Sequence, residues 1–196
     1  VILQTATNTL GSSAVAAVTA AGKVCNFLAC PYDAMGSTMA TYGGQNVGAG
    51  KFERLDKGLG SCVILGAVYA VIAVLISVFG GGLLARLFVD GGEQEIINQV
   101  RQFLIWNTAF YFPLALVNIV RFLIQGMGFA SFAILAGVFE MIARSLAALV
   151  LVPVIGFTGV CLGSPIAWIF ADAFLIPAYF YVKKLLKKRR MDYYSS

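Results

Sequence analysis

The sequence predicts an all-α membrane protein, a polytopic transmembrane helix bundle of about five complete spans plus the end of a sixth. Two observations of composition carry this. Only 12% of the 196 residues are charged against 60% hydrophobic, and mean hydropathy is +0.86, outside the usual soluble balance of about a quarter charged. The apolar stretches also run for roughly 20 residues, the length that crosses a hydrocarbon core about 30 Å thick. They are continuously apolar, whereas outer-membrane strands alternate polar and apolar residues over about ten positions.

Val1 to Leu10 reads as the end of a helix, with Gln4 and Asn8 on one face, and Gly11-Ser12-Ser13 breaks it. A long second helix is predicted from Ala14 to Tyr42, kinked by Pro31, with Lys23 and Asp33 its only charges. The third span, Leu59 to Phe79, has Gly58, Cys62 and Gly66 at four-residue spacing, a small-residue stripe for close helix contact. Gly80-Gly81-Gly82 is expected to end it, and Leu83 to Glu95 reads as an interfacial segment. The fourth span is expected as one helix from Ile96 to Ile124, with Pro113 in mid-membrane and Arg121 near its far end. Gln125-Gly126-Met127-Gly128 is a tight turn. The fifth span, Phe129 to Val152, carries Glu140 and Arg144 and stops at Pro153 and Gly156. The sixth, Val160 to Val182, carries Pro165, Asp172 and Pro177. Residues 1–182 thus form one helical lobe, and 183–196 a basic tail.

Lysine and arginine counts set the orientation. Lys51, Arg54 and Lys57 lie in one loop and six more basic residues in the tail, nine on one side, against Arg86 and Arg101 on the other. That bias places the basic loops and the C-terminus in the cytoplasm. Because the tail directly follows an apolar span, its charge reads as a membrane anchor and not as a nucleic-acid site. The lipid bilayer is therefore the expected partner, with no nucleic acid. The start at Val1, with neither an initiator methionine nor a basic n-region, reads as a fragment of a longer chain.

The absence of histidine excludes histidine acid/base chemistry and histidine metal ligation. Cys25, Cys30, Cys62 and Cys161 lack zinc or redox spacing, so no metal and no cofactor are expected. No paired catalytic carboxylates and no Gly-x-Ser-x-Gly can be picked out, so an enzyme is the least favoured class. A non-transporting membrane scaffold is a rival of another kind.

The segment Gly43-Gly44-Gln45-Asn46-Val47-Gly48-Ala49-Gly50-Lys51-Phe52-Glu53-Arg54 says most about function. It is not a P-loop, because Gln45 stands where glycine is needed and Phe52 where serine or threonine should follow the lysine. Gly44, Gly48 and Gly50 are expected to let a helix end pack tightly, while Lys51 and Arg54 face phospholipid headgroups. The run Gln45, Asn46, Gly48, Ala49, Gly50, Lys51 and Arg54 resembles the signature closing the second helix of each lobe in the multidrug and toxic compound extrusion (MATE) family. Pro31-Tyr32-Asp33-Ala34-Met35-Gly36, Gln125-Gly126-Met127-Gly128, Glu140 with Arg144, and Gly156-Phe157-Thr158-Gly159 extend the resemblance in order along nearly the whole chain.

The resemblance implies the C-terminal lobe of a two-lobe antiporter in the plasma membrane of a bacterial cell. Such a protein exports small amphipathic organic cations in exchange for protons or sodium ions, and its partner would be the N-terminal lobe of the same transporter. A flippase for lipid-linked oligosaccharides, from the same broader superfamily, is the alternative.

Candidate substrate- or ion-binding residues are Asp172, Glu140, Arg144, Lys23 and Asn118. Glu140 and Arg144 stand four apart, in the order that favours pairing, and Glu140 lies about 16 Å into the core. They either face a water-filled cavity or form a structural ion pair. Asp172 lies at a similar depth with no basic partner on its own helix, and either binds a proton or cation or meets Lys23 or Arg144 from another helix. Phe27, Trp106, Tyr111 and Phe112 offer aromatic surface for cations or for packing. Unlike family branches with acidic ligands in the seventh and tenth helices, the fourth span has no acid beyond Glu95 and offers only Asn107, Thr108, Asn118 and Gln125.

Overall fold

A computed structural model describes residues 2–88 and 93–195, without the side chains of residues 189–195. The described residues form seven helices: α1 (Ile2–Asn8), α2 (Ser12–Gly48), α3 (Glu53–Arg86), α4 (Gln94–Ala109), α5 (Tyr111–Gly126), α6 (Ala130–Ile155) and α7 (Phe157–Ser195). Four of them, α2, α3, α6 and α7, are long and apolar enough to cross a membrane, and α4 with α5 makes a fifth, broken span. The polytopic all-α bundle is therefore as the sequence predicts, with the seven-residue α1 ahead of these spans.

Continuity of helix follows from the solvent. In hydrocarbon no water can satisfy a free N–H or C=O, so the backbone must bond within itself wherever it can. This is why α2 runs unbroken through Pro31. Proline removes one hydrogen bond of that turn, and two tyrosines from neighbouring helices bond to carbonyls there. Tyr69 Oη donates to Leu28 O (3.0 Å) and Tyr111 Oη to Cys25 O (3.1 Å). Their rings pack edge-on against Tyr32, at 5.3 and 5.6 Å.

The same pressure overturns two expectations. The third span does not stop at Gly80-Gly81-Gly82, because α3 continues to Arg86. Glycine weakens a helix by about 1 kcal/mol per residue in water, but in hydrocarbon the cost of unpaired backbone outweighs that, and the stem of Arg101 packs beside Gly81 at ordinary contact distance. A Cβ on Gly81 would lie 3.6 Å from Arg101 Cγ, a contact that a side chain there would tolerate. The proposed interfacial segment therefore begins as helix, and residues 89–92 of it lie outside the described residues.

The fourth span is not one helix either. It breaks at Phe110, and the two halves meet at a 51° bend. Pro113 sits at the third position of α5, where its missing N–H costs little and where its ring would crowd the carbonyl of Ala109 if the helix ran on. Just before the bend, Asn107 Nδ2 bonds to Phe103 O and to Cys161 O, and Thr108 Oγ1 to Leu104 O. All three bonds are buried, and Cys161 O is the carbonyl that Pro165, four residues on, leaves without a helix donor.

Small residues set the helix spacing, as the sequence predicts for the Gly58, Cys62 and Gly66 stripe. A Cβ on Gly58 would run into the Tyr42 ring, and one on Gly66 would come within 3.0 Å of Ala115 Cβ. Along the α2–α5 contact Gly36 meets Phe122, Gly43 meets Leu123, and Gly126 lies on the backbone of Ala40. From Cys25 with Tyr111, through Gly36 with Phe122, to Gly44 with Gly126, the contacts advance along both helices, so α2 and α5 run parallel and end on the same side.

Both ends are closed by the same device. Gly50 (φ +68°) and Gly128 (φ +93°) take the left-handed conformation. Lys51 N–H then reaches Asn46 O (2.8 Å) and Phe129 N–H reaches Ile124 O (3.2 Å), the Schellman pattern. At this end Asp56 of α3 pairs with Lys183 of α7 and accepts a hydrogen bond from Tyr179 Oη at 2.8 Å. The basic loop and the start of the basic tail are thereby on one side of the bundle. The tail continues α7 without a break.

Candidate functional site

The charges predicted to lie in mid-membrane converge where α5, α6 and α7 meet. On α6 the buried face is built from Ala136, Ala143 and Ala147, and Glu140 falls on it, one turn from each of the first two. On α7 the corresponding face is Trp168, Ala171, Asp172 and Leu175, all buried. Alanines keep these helices close, so a carboxyl between them is removed from lipid.

Glu140 is paired as predicted with Arg144, Nη2 to Oε1 at 3.1 Å, but it also holds a second arginine. Arg121 of α5 donates Nη2 to Glu140 Oε2 at 2.5 Å. The side chains of Arg121 and Glu140 are 22% and 17% exposed, against 40% for Arg144, so the inter-helix half is the more enclosed. The Nε atoms of both arginines are buried and lack a protein partner. Glu140 and Arg144 also line a cleft of about 480 Å³ between α6 and the first residues of α1.

Arg121 as a partner was within reach of sequence reasoning. It is the one charge between Arg101 and Glu140, and a lone arginine in an apolar span needs a carboxylate from elsewhere.

Asp172 is 7% exposed, and its Oδ1 has no hydrogen-bond partner in the protein. The charges whose fields reach it are those of Arg121 and Glu140. The expected alternatives of Lys23 or Arg144 as its neighbour give way to these two. Lys23 is instead exposed on α2 with Nζ 5.7 Å from the centre of the Phe88 ring. Asn118 is half-buried and bonds along its own helix to Leu114 O at 3.3 Å. Neither residue joins the cluster. Of the four aromatics, Tyr111 is buried against Tyr32 and Trp168, while Phe27, Trp106 and Phe112 are exposed.

The glycine segment divides by position. A Cβ on Gly44 would come within 3.2 Å of Gly126 O, so this glycine packs as expected, but one on Gly48 would meet nothing within 4 Å. Gly48 is therefore not a packing residue, and Gly50 serves the turn through its backbone conformation. Asn46 is buried and bonds to Tyr42 O at 2.8 Å. Gln45, Ala49, Lys51 and Arg54 are exposed.

Several helices long and apolar enough to cross a membrane, with an ion-paired cluster held between them, define a multi-pass membrane protein. A family model described as MatE matches residues 1–154, and the chain belongs to the MATE family of transporters. The match includes the glycine segment, Arg121, Glu140 and Arg144, and stops short of α7 and Asp172. No curated protein and no solved structure is matched by the chain.

Proposed function

We propose that this chain is the C-terminal lobe of a secondary antiporter that exports small amphipathic organic cations in exchange for protons or sodium ions. A second, N-terminal lobe forms the opposite wall, and access alternates as the lobes rock against each other. The observation that carries the reading is Asp172, a buried carboxyl with an unused oxygen beside the Arg121–Glu140–Arg144 cluster. A group of that kind inside a membrane is a place to hold a proton or a coupling cation.

The cluster also favours cations over the flippase alternative. A site for a pyrophosphate-linked lipid calls for surplus positive charge. Here two arginines face Glu140, one of them, Arg121, also lies near Asp172, and Lys23 lies apart on α2. The basic loop at Lys51, Arg54 and Lys57 and the α7 tail take the cytoplasmic side of a plasma membrane.

The test is Asp172→Asn in the complete transporter. Ethidium efflux should slow by about tenfold, which corresponds to ~1.4 kcal/mol, with the purified protein keeping its elution profile. Efflux at the wild-type rate would assign Asp172 a purely structural role.

A further inference from the structure

The long exposed helix faces differ in chemistry. On α3 the outward residues include Ile64, Leu65, Val71 and Phe79, and on α6 Ile134, Met141, Leu149 and Val154. Such faces suit lipid. On α2 only one large hydrophobic side chain, Phe27, is exposed. Its outward stripe instead carries Thr19, Lys23, Asn26, Cys30, Asp33 and Ser37, three or four residues apart and so on one face.

The hydroxyls of this stripe do not discriminate between lipid and water. Ser37 Oγ donates to Asp33 O at 3.0 Å and Thr19 Oγ1 to Val15 O at 2.8 Å, satisfying themselves against the helix. Asp33 does discriminate. An ionised carboxylate is an acceptor only, and among the described residues Asp33 makes no ion pair.

Its depth follows from its neighbours. Asp33 adjoins Tyr32, whose ring packs at 5.3 Å on Tyr69 of α3. Tyr69 lies near the middle of the uncharged run from Ser61 to Phe79, so Asp33 is at mid-membrane. Lys23 lies about 15 Å further towards the opposite end of α2 from the basic loop. A carboxylate at that depth is expensive against hydrocarbon and faces water or protein.

We propose that this face of α2 is a wall of the transport pathway, and that Asp33 is the carboxylate on which an organic cation rests in passage. The inference rests on reading the chain as a cation exporter. It adds a second acidic position to that reading, on an open face where Asp172 is enclosed.

Cys30, one turn before Asp33 and exposed, is a native reporter. In the complete transporter with Cys25, Cys62 and Cys161 replaced by alanine, its rates with a cationic and a neutral water-soluble methanethiosulfonate are compared. Cys30 should react at least about tenfold faster than a Leu65→Cys probe on α3, because the reactive thiolate forms in water. The cationic-to-neutral rate ratio should fall about fivefold in Asp33→Asn and return in Asp33→Glu, since a carboxylate concentrates cations near it.

A Cys30 as inert as position 65 would overturn the pathway wall, whether lipid or a packed second lobe covers it. A ratio unmoved by Asp33→Asn would overturn the carboxylate's role. The labelling does not require export. A protein that labels as expected yet exports no organic cation would fault the substrate class and leave the wall standing.

Discussion

Gly126→Ala is expected to be among the most damaging single changes in the bundle. A Cβ there would overlap the carbonyl oxygen, carbonyl carbon and Cα of Ala40. The obstacle is backbone, so no rotamer change relieves it and α2 and α5 must move apart. Overpacking commonly costs about 1–3 kcal/mol, and a rigid obstacle puts this case at about 3 or more. In a protein of this size that corresponds to a melting temperature lower by roughly 6–12 °C. Gly48→Ala is the control, because its Cβ would meet nothing within 4 Å. It should be neutral or stabilising by up to about 1 kcal/mol. Thermal unfolding of the detergent-purified protein checks both, and equal effects of the two changes would contradict the account.

Glu140→Gln should be the most costly change among the charges. It removes the carboxylate shared by two arginines and leaves both uncompensated in a poorly hydrated region. Breaking a buried pair by removing one partner costs about 3–5 kcal/mol, and partial exposure here puts the expectation near the lower bound, about 3 kcal/mol. The two halves should differ. The Arg121 contact joins α5 to α6 at 2.5 Å with the side chains 22% and 17% exposed, whereas Arg144 is 40% exposed at 3.1 Å on the same helix. A double-mutant cycle for Arg121 and Glu140 should give a coupling of about 2 kcal/mol, and one for Arg144 and Glu140 about 0.5 kcal/mol. Additivity in the Arg121 cycle, or the reverse order, would reject this picture of the cluster.

Single residues show which parts of this arrangement were legible in the sequence. The spans were readable because continuous apolar runs have few alternatives in a membrane. The pairing of Glu140 with Arg144 was readable because a separation of four residues on a helix is itself geometry. Gly80-Gly81-Gly82 misled because glycine breaks helices in water, and the cost of unpaired backbone in lipid outweighs that propensity. Pro113 was visible, but whether it kinks one helix or separates two depends on how Asn107 and Thr108 use their side chains against the backbone.

The neighbours of Asp172 were hidden for a different reason. Register between α5, α6 and α7 is set by packing from one helix to the next, and no spacing along one helix encodes it. The same holds for Gly126 against Ala40, which joins residues far apart in the chain. Asp33 was visible as a charge, but the openness of its face became apparent only beside the apolar faces of α3 and α6.

Gradient-driven ethidium efflux from proteoliposomes tests the central claim most directly, with imposed proton and sodium gradients and two preparations, the complete two-lobe transporter and the 196-residue chain. The account predicts efflux by the complete protein that collapses when the driving gradient is dissipated, and none by the single lobe. Efflux by the chain alone, or no cation efflux by a well-folded complete protein under either gradient, would contradict it.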